Sequence, residues 1–224
     1  MIEFTDVGHR YGDRVVLSSV NLRLTEQRVA FVGANGSGKS TLARMINGLV
    51  SPTSGGVRVH GLDPSRDGRE VRRRVGFVFT NPDSQIVMPT AGEDVAFSLR
   101  RSGLSKKERA ERAERALAEF GLDGYAEHPA HQLSGGQKQM LALCAMLVLD
   151  PDVLVCDEPT TLLDLRNKRR FVEKLAGLRQ QVVLVTHDLD LLETFDRVVV
   201  LDEGRVVADD RPERALRHYR TLVT

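Results

Sequence analysis

Apolar positions change period along the chain. As far as about Thr80, short β-branched runs dominate: Val15–Leu17, Val29–Val32, Val57–Val59 and Val75–Phe79. Such short apolar runs predict strands. One helix is predicted among them after Gly38, where Leu42, Met45, Ile46 and Leu49 share a face at i, i+3, i+4 and i+7. The run Ser51-Pro52-Thr53-Ser54-Gly55-Gly56 predicts the turn that ends it. From about Asn81 to Asp150 the pattern is helical. Thr90-Ala91-Gly92-Glu93 and Ser105-Lys106-Lys107-Glu108 match a capping box. The charged segment Arg109–Phe120 reads as a solvated helix face that stops near Gly121, and a third helix is predicted from about Ser134 to Leu149. Strands return with Val153–Cys156 and Val182–Val185, unbroken apolar runs that expect cover on both faces. Val198–Leu201 and Arg205–Ala208 flank Asp202-Glu203-Gly204 and predict a hairpin. The pattern therefore predicts an α/β core, residues 1–80 and 151–224, interrupted by a mostly helical insert at 81–150, with no internal repeat.

Composition narrows the partners. The 224 residues are 41% hydrophobic and 28% charged, with a formal net charge of +1. That balance does not fit a polyanion-binding protein, and Arg72-Arg73-Arg74 and Arg100-Arg101 lack interleaved aromatics, so no nucleic-acid partner is expected. The longest apolar run, Met140–Leu149, is about half of the roughly 20 residues a membrane-spanning helix needs. Met1–Asp6 lacks the basic end and apolar segment of a signal peptide, which predicts a cytosolic chain. Cys144 and Cys156 lie in apolar runs and read as small buried hydrophobes in a reducing compartment. Two cysteines and scattered histidines give no zinc-ligand spacing.

Candidate chemistry begins at Gly33-Ala34-Asn35-Gly36-Ser37-Gly38-Lys39-Ser40, which matches G-x-x-x-x-G-K-[ST] between a predicted strand and a predicted helix. The glycines let backbone N–H groups turn inward around phosphate oxygens, and the helix N-terminus adds partial positive charge. Lys39 is then placed to reach β- and γ-phosphates and Ser40 to offer its hydroxyl to Mg²⁺. Thr41 is grouped with this loop as a nucleotide-binding position. Val153–Cys156 runs into Asp157-Glu158. In a P-loop protein the first acid serves Mg²⁺, usually through water, and the second polarises the attacking water. An acidic pair after a strand is weak evidence alone and strong beside the phosphate loop.

The loop by itself leaves kinases, GTPases and many ATPases open. Leu133-Ser134-Gly135-Gly136-Gln137, 20 residues before Val153, resembles the LSGGQ signature of ABC ATPases. Ser134 and the two glycines at a helix start can turn hydroxyl and N–H groups toward an anion. Other positions also resemble that family. Tyr11 matches the aromatic that stacks on adenine. Pro159-Thr160-Thr161-Leu162-Leu163-Asp164 resembles the D-loop, with Asp164 its acid, and His187 matches the switch histidine that contacts the γ-phosphate. The resemblance covers nearly the whole chain. It implies a P-loop NTPase (RecA-like) core with an antiparallel β region and an inserted helical subdomain, together forming one ATPase domain. It also implies ATP and Mg²⁺ as ligands, and a second ABC ATPase subunit, in a homodimer, whose Ser134–Gln137 closes each ATP site in trans.

The stretch Phe79-Thr80-Asn81-Pro82-Asp83-Ser84-Gln85-Ile86-Val87-Met88-Pro89-Thr90 is similar to the FQNPDDQ…PT segment of energy-coupling-factor (ECF) transporter ATPases, as is Glu93-Asp94-Val95-Ala96-Phe97. That likeness implies import of a vitamin or metal ion. It also implies a peripheral place on the cytoplasmic face of the cell membrane, with a transmembrane scaffold subunit and a substrate-binding membrane subunit. The helix begun at Thr90 is expected to carry Glu93 and Asp94 for its dipole, to be anchored by Val95 and Phe97, and to leave Gln85–Pro89 facing the scaffold. The short chain looks like the dedicated biotin or cobalt/nickel types, and Gln85–Thr90 favours biotin. Another ABC transporter class, or a soluble ABC ATPase acting on nucleic acid or ribosomes, is the alternative. The chain departs from the pattern at two places. Thr80 stands where a Q-loop glutamine is expected, with Gln85 five residues on, and Leu162 stands where the D-loop usually has Gly.

Overall fold

The computed structural model describes residues 1–222. In chain order the elements are β1 (Ile2–Tyr11), β2 (Arg14–Leu24), β3 (Arg28–Val32), α1 (Lys39–Ile46), β4 (Ser54–Val59), α2 (Gly68–Arg74) and β5 (Val75–Val78). Then come α3 (Ala91–Ser98), α4 (Lys106–Glu119), α5 (Gly135–Leu147), β6 (Val153–Asp157), α6 (Leu165–Ala176), β7 (Gln181–Val185), β8 (Arg197–Asp202), β9 (Arg205–Asp210) and α7 (Pro212–Leu222). They group into two compact units. The first holds Met1–Phe77, Asp152–Glu158 and the chain from Val172 onward; the second holds Val78–Pro151 and Pro159–Phe171.

The first unit is built on two sheets. One is a three-stranded sheet in the order β2-β1-β4, with β1 antiparallel to both neighbours. Val20, Leu22 and Leu24 of β2 are buried and the residues between them exposed, the alternation of a strand covered on one face. The other is six-stranded, in the order β5-β6-β7-β3-β8-β9. Its β6/β7, β7/β3 and β3/β8 pairs are parallel, and β9 closes the edge antiparallel to β8. Val29–Val32, Val153–Cys156, Val182–Val185 and Val198–Leu201 are all wholly buried, as their unbroken apolar runs predict. Each fully buried Val or Leu there contributes about 1.5–3 kcal/mol relative to exposure. The β8–β9 hairpin turns on Glu203 and Gly204, both at positive φ (43° and 76°), the type I′ geometry that matches strand twist. Both cysteines are buried, and neither is in a disulfide.

Three expectations need correction. Helix α1 ends at Ile46, and Gly48 at φ 74° turns the chain away, so Leu49 lies past the helix and is exposed. Ser54–Gly56 opens strand β4 and is not turn. Helices α2, α6 and α7 were not expected. The Arg72–Arg74 run is the last turn of α2, where cations meet the negative end of the helix dipole, and Arg73 and Arg74 pair with Glu70. Among the described residues, no helix is long and apolar enough to cross a membrane.

In the second unit, Thr90, Ser105 and Ser134 cap α3, α4 and α5 with complete capping boxes. The start of α3 differs from expectation in one respect. Glu93 closes the box, but Asp94 is buried and turns back, its Oδ1 accepting from the amides of Val87 (2.8 Å) and Met88 (3.1 Å). Val95 is buried as expected. Phe97 is exposed instead, with the Arg100 guanidinium 4.0 Å over its ring.

Burial raises the Asp94 carboxyl above its ordinary value, against the lowering effect of the two amides. An acid raised on folding contributes stability that is complete below its unfolded value and lost as pH rises through the folded one. Relative to Asp94→Asn, the native protein should therefore lose stability as pH rises out of the ordinary carboxyl range and through the raised folded value. Urea unfolding of both proteins across that range checks it, and a difference that does not move with pH refutes it.

Candidate functional site

The phosphate loop follows β3, Asp157 ends β6 with Glu158 directly after it, and His187 follows β7 by two residues. All lie at the carboxyl ends of parallel strands, where open α/β sheets bind ligands. Gly33 sits at φ 148°, and a Cβ there would stand 2.0 Å from the Leu201 carbonyl oxygen at the end of β8, so no side chain fits. Lys39 is buried and its Nζ donates to the Gly33 and Ala34 carbonyls, both at 2.8 Å. Desolvation lowers its pKa, and the charges of Glu158 and Asp157 oppose that shift. Ser37 Oγ is buried with no hydrogen-bond partner among the described residues. A donor so placed beside a lysine and a helix N-terminus fits a phosphate.

Asp157 is 1% exposed. Ser40 Oγ donates to its Oδ1 at 2.6 Å, and Arg44 Nε donates to its Oδ2 at 3.1 Å, with a second guanidinium nitrogen at 2.9 Å. Ser40 and Arg44 stand four residues apart on α1 and so on one face. One hydroxyl beside one carboxylate fits Mg²⁺, which keeps most of its ligands as water and phosphate. The next residue is held differently. Glu158 has φ 52°, a sparsely populated conformation for a side chain of this kind, and its N–H donates to Val185 O at 3.0 Å. Its Oε2 lies 2.7 Å from Nδ1 of His187.

Tyr11 is exposed at the end of β1, and its ring meets that of His9 edge-on with centroids 4.5 Å apart. Ala34, Asn35 and Gly36 are the exposed part of the loop, and Thr41 is half-buried. The remaining predicted positions lie in the second unit. Ser134 Oγ accepts from Gln137 N–H, and Gln137 Oε1 accepts from Ser134 N–H. Asp164 caps α6 by accepting from Asn167 N–H (2.8 Å) and Asn167 Nδ2 (2.9 Å). A Cβ on Gly136 would lie 2.7 Å from that Asn167 side chain, so the second signature glycine and Asp164 meet through Asn167. Leu162 is exposed and does not take a positive φ, so the backbone accepts a side chain where glycine is usual. Gln85 Oε1 accepts from Phe79 N–H at 3.3 Å, and buried Gln139 donates to Phe79 O at 3.1 Å.

Sequence reasoning missed Arg44, Asn167 and Gly204. The i, i+4 spacing of Ser40 and Arg44 could have shown the first, and the Asp-x-x-Asn cap the second. The hairpin signal at Gly204 gives no hint of its contact with the loop: its N–H donates to Ser37 O (3.2 Å) and its carbonyl accepts from Ser18 N–H (2.9 Å). It braces the loop from outside.

A parallel sheet whose β3 runs into this loop and whose β6 ends in an Asp-Glu pair defines a P-loop nucleoside triphosphatase. Residues 17–161 match the family model described as ABC transporter, and the chain belongs to that family as one of its ATP-binding, ATP-hydrolysing proteins. It is 50% identical to a putative ABC transporter ATP-binding protein of Deinococcus radiodurans, over 100% of this chain and 99% of that one. It is 44% identical to the biotin transport ATP-binding protein BioM of Rhizobium etli, over 99% and 98%. The structure of CbiO1 from Clostridium perfringens, described as part of the ABC transporter complex CbiONQ, superposes with a TM-score of 0.85 at 31% identity, covering 99% of this chain and 92% of that one.

A Cβ on Gly204 would stand 2.4 Å from the Val16 carbonyl oxygen, and its φ of 76° already disfavours a side chain. Gly204→Val should therefore displace the brace on Ser37 and weaken ATP binding by about tenfold, roughly 1.4 kcal/mol. Nucleotide titration alongside thermal unfolding checks this, and native affinity in the folded variant refutes it.

Proposed function

We propose that this protein powers an ECF-type importer, with biotin the favoured cargo and a metal ion the other. In this reading two copies form a homodimer on the cytoplasmic face of the membrane, beside a transmembrane scaffold and a substrate-binding membrane subunit. The likeness to a protein named for biotin transport supports the cargo. The observation that carries the type is the segment Phe79–Thr90 and the groove it forms. That groove, about 310 Å³, is lined by Asp83, Ile86, Val87, Met88, Pro89, Ala130 and His131. Val87 is 63% exposed there, yet the backbone beneath it is pinned by Asp94. A rigid apolar rim of this kind fits a short helix of a membrane scaffold.

For the chemistry, Lys39 would leave the Gly33 and Ala34 carbonyls and offset charge on the β- and γ-phosphates. Ser40 and Asp157 would hold Mg²⁺, which when bound supplies charge neutralisation on the phosphates, and Arg44 would keep Asp157 oriented. Glu158 would accept the proton of the attacking water, with His187 holding the carboxylate and reaching the γ-phosphate. Tyr11 would stack on adenine. Ser134–Gln137 and Asp164 would complete the partner's site, so that ATP joins the two copies and hydrolysis parts them.

Glu158→Gln keeps the shape of the carboxylate and loses its basicity. It should bind ATP, slow turnover by at least about a hundredfold, and accumulate as a nucleotide-bound dimer in size-exclusion chromatography. Turnover close to native would remove Glu158 from the role of base.

Val87→Arg should leave the ATPase rate of the isolated protein within about twofold of native, since Val87 lies on the groove rim. The same substitution should abolish biotin uptake, or assembly, in the membrane complex. Uptake at the native rate by Val87→Arg and Gln85→Arg together would overturn the ECF-type reading.

A further inference from the structure

The geometry points to Arg14 as a further nucleotide-binding residue, one whose guanidinium meets the phosphate chain over Gly36 of the loop. This rests on the phosphate-loop reading above and extends it to a residue outside every motif of the sequence.

The β1–β2 hairpin turns at Gly12-Asp13, which sets Arg14 directly opposite Tyr11 in the strand register. Arg14 is exposed, so it is not needed to fill the core. Its guanidinium nevertheless leans over the phosphate loop: a methyl group on Gly36, the exposed crest of the loop, would lie 3.5 Å from its terminal nitrogen. Among the described residues it has no hydrogen-bond or ion-pair partner, whereas its neighbour Arg10 approaches Asp13 at 4.0 Å. A cation that reaches across to a loop of glycines and finds no acceptor there is poised for an anion that enters later. The guanidinium fork can hold two phosphate oxygens at once, which the point charge of a lysine cannot.

The charge balance of the loop leads to the same assignment. Lys39 is buried and partly desolvated, and Asp157 and Glu158 bring two negative charges near it. A triphosphate adds more negative charge than this one ammonium and one metal ion offset, so a second protein cation at the crest has a clear electrostatic task. The hairpin then carries both ends of the recognition, with Tyr11 for the base and Arg14 for the phosphates, on two residues paired across one turn.

The test is nucleotide binding by the full chain, titrated with ATP, with ADP and with inorganic tripolyphosphate as a competitor that has no base. Arg14→Gln should weaken all three by about tenfold, the effect of losing one charge-assisted contact, and should flatten the dependence of affinity on salt. Arg14→Lys should recover only part of the loss. Tyr11→Ala should weaken ATP and ADP but leave tripolyphosphate unchanged. Tripolyphosphate binding by Arg14→Gln equal to native, with the same salt dependence, overturns the proposal. Lys39→Ala separates it from the reading on which it rests. If Lys39→Ala loses binding while Arg14→Gln keeps it, only the Arg14 assignment fails; if Lys39→Ala binds normally, the phosphate-loop reading fails as well.

Discussion

A phosphate loop works only if its backbone is free of side chains on the inside and cannot relax when its anion is absent. Here both conditions come from contact with β8 and the turn that follows it. Gly33 presses so closely on the Leu201 carbonyl that even a methyl group is excluded, and Gly204 donates to Ser37 from the next turn. Gly204 in turn accepts from Ser18 of β2. The loop is thus gripped between the central sheet and the antiparallel one. The strand order makes this possible: β3 lies between β7 and β8, so the ends of both neighbours flank the loop, one leading to His187 and the other to Leu201.

Charge burial adds a further constraint. Asp157 is almost wholly removed from water, a state that is costly unless the carboxylate is paired and hydrogen-bonded. Ser40 and Arg44, one helical turn apart on α1, meet both of its oxygens. The helix into which the phosphate loop runs is therefore locked to the strand that carries the acids. Glu158, one residue later, is released from that lock by a backbone at φ 52° and turns to His187 instead. Two consecutive acids acquire different surroundings because the chain reverses its twist between them.

What was legible in the sequence follows from the same physics. Strands buried on both faces have to be apolar at every position, so Val29–Val32 and Val182–Val185 announce themselves. The phosphate loop does so because its chemistry admits few residues. Helices α6 and α7 did not, because each covers little core. Phe171, Val172 and Leu175 are buried on α6, and only Ala215 on α7. So few apolar positions give no reliable period. Leu49 misled in the opposite direction. It continues the apolar spacing of α1, but Gly48 has already ended the helix. Gly204 was legible as part of a hairpin turn but not as a brace on the phosphate loop, since that role lies in what it touches and not in its neighbours.

Thr80 enters a segment whose backbone is held by other residues. In the second unit, the residue before it is held at both of its polar backbone atoms by side chains. Gln85 accepts from the Phe79 amide, and Gln139, buried within the signature helix, donates to the Phe79 carbonyl. The path of the chain from Phe79 to Met88 is therefore set by those two glutamines and, farther on, by Asp94 at Val87 and Met88. A glutamine at position 80 is not needed to shape this segment. Gln139 lies on the same helix that Ser134 caps, so a displacement of the signature helix would act directly on Phe79 and on the loop that follows it. Phe79, Val87 and Met88 are thus held at backbone atoms by the side chains of Gln85, Gln139 and Asp94, none of which is residue 80.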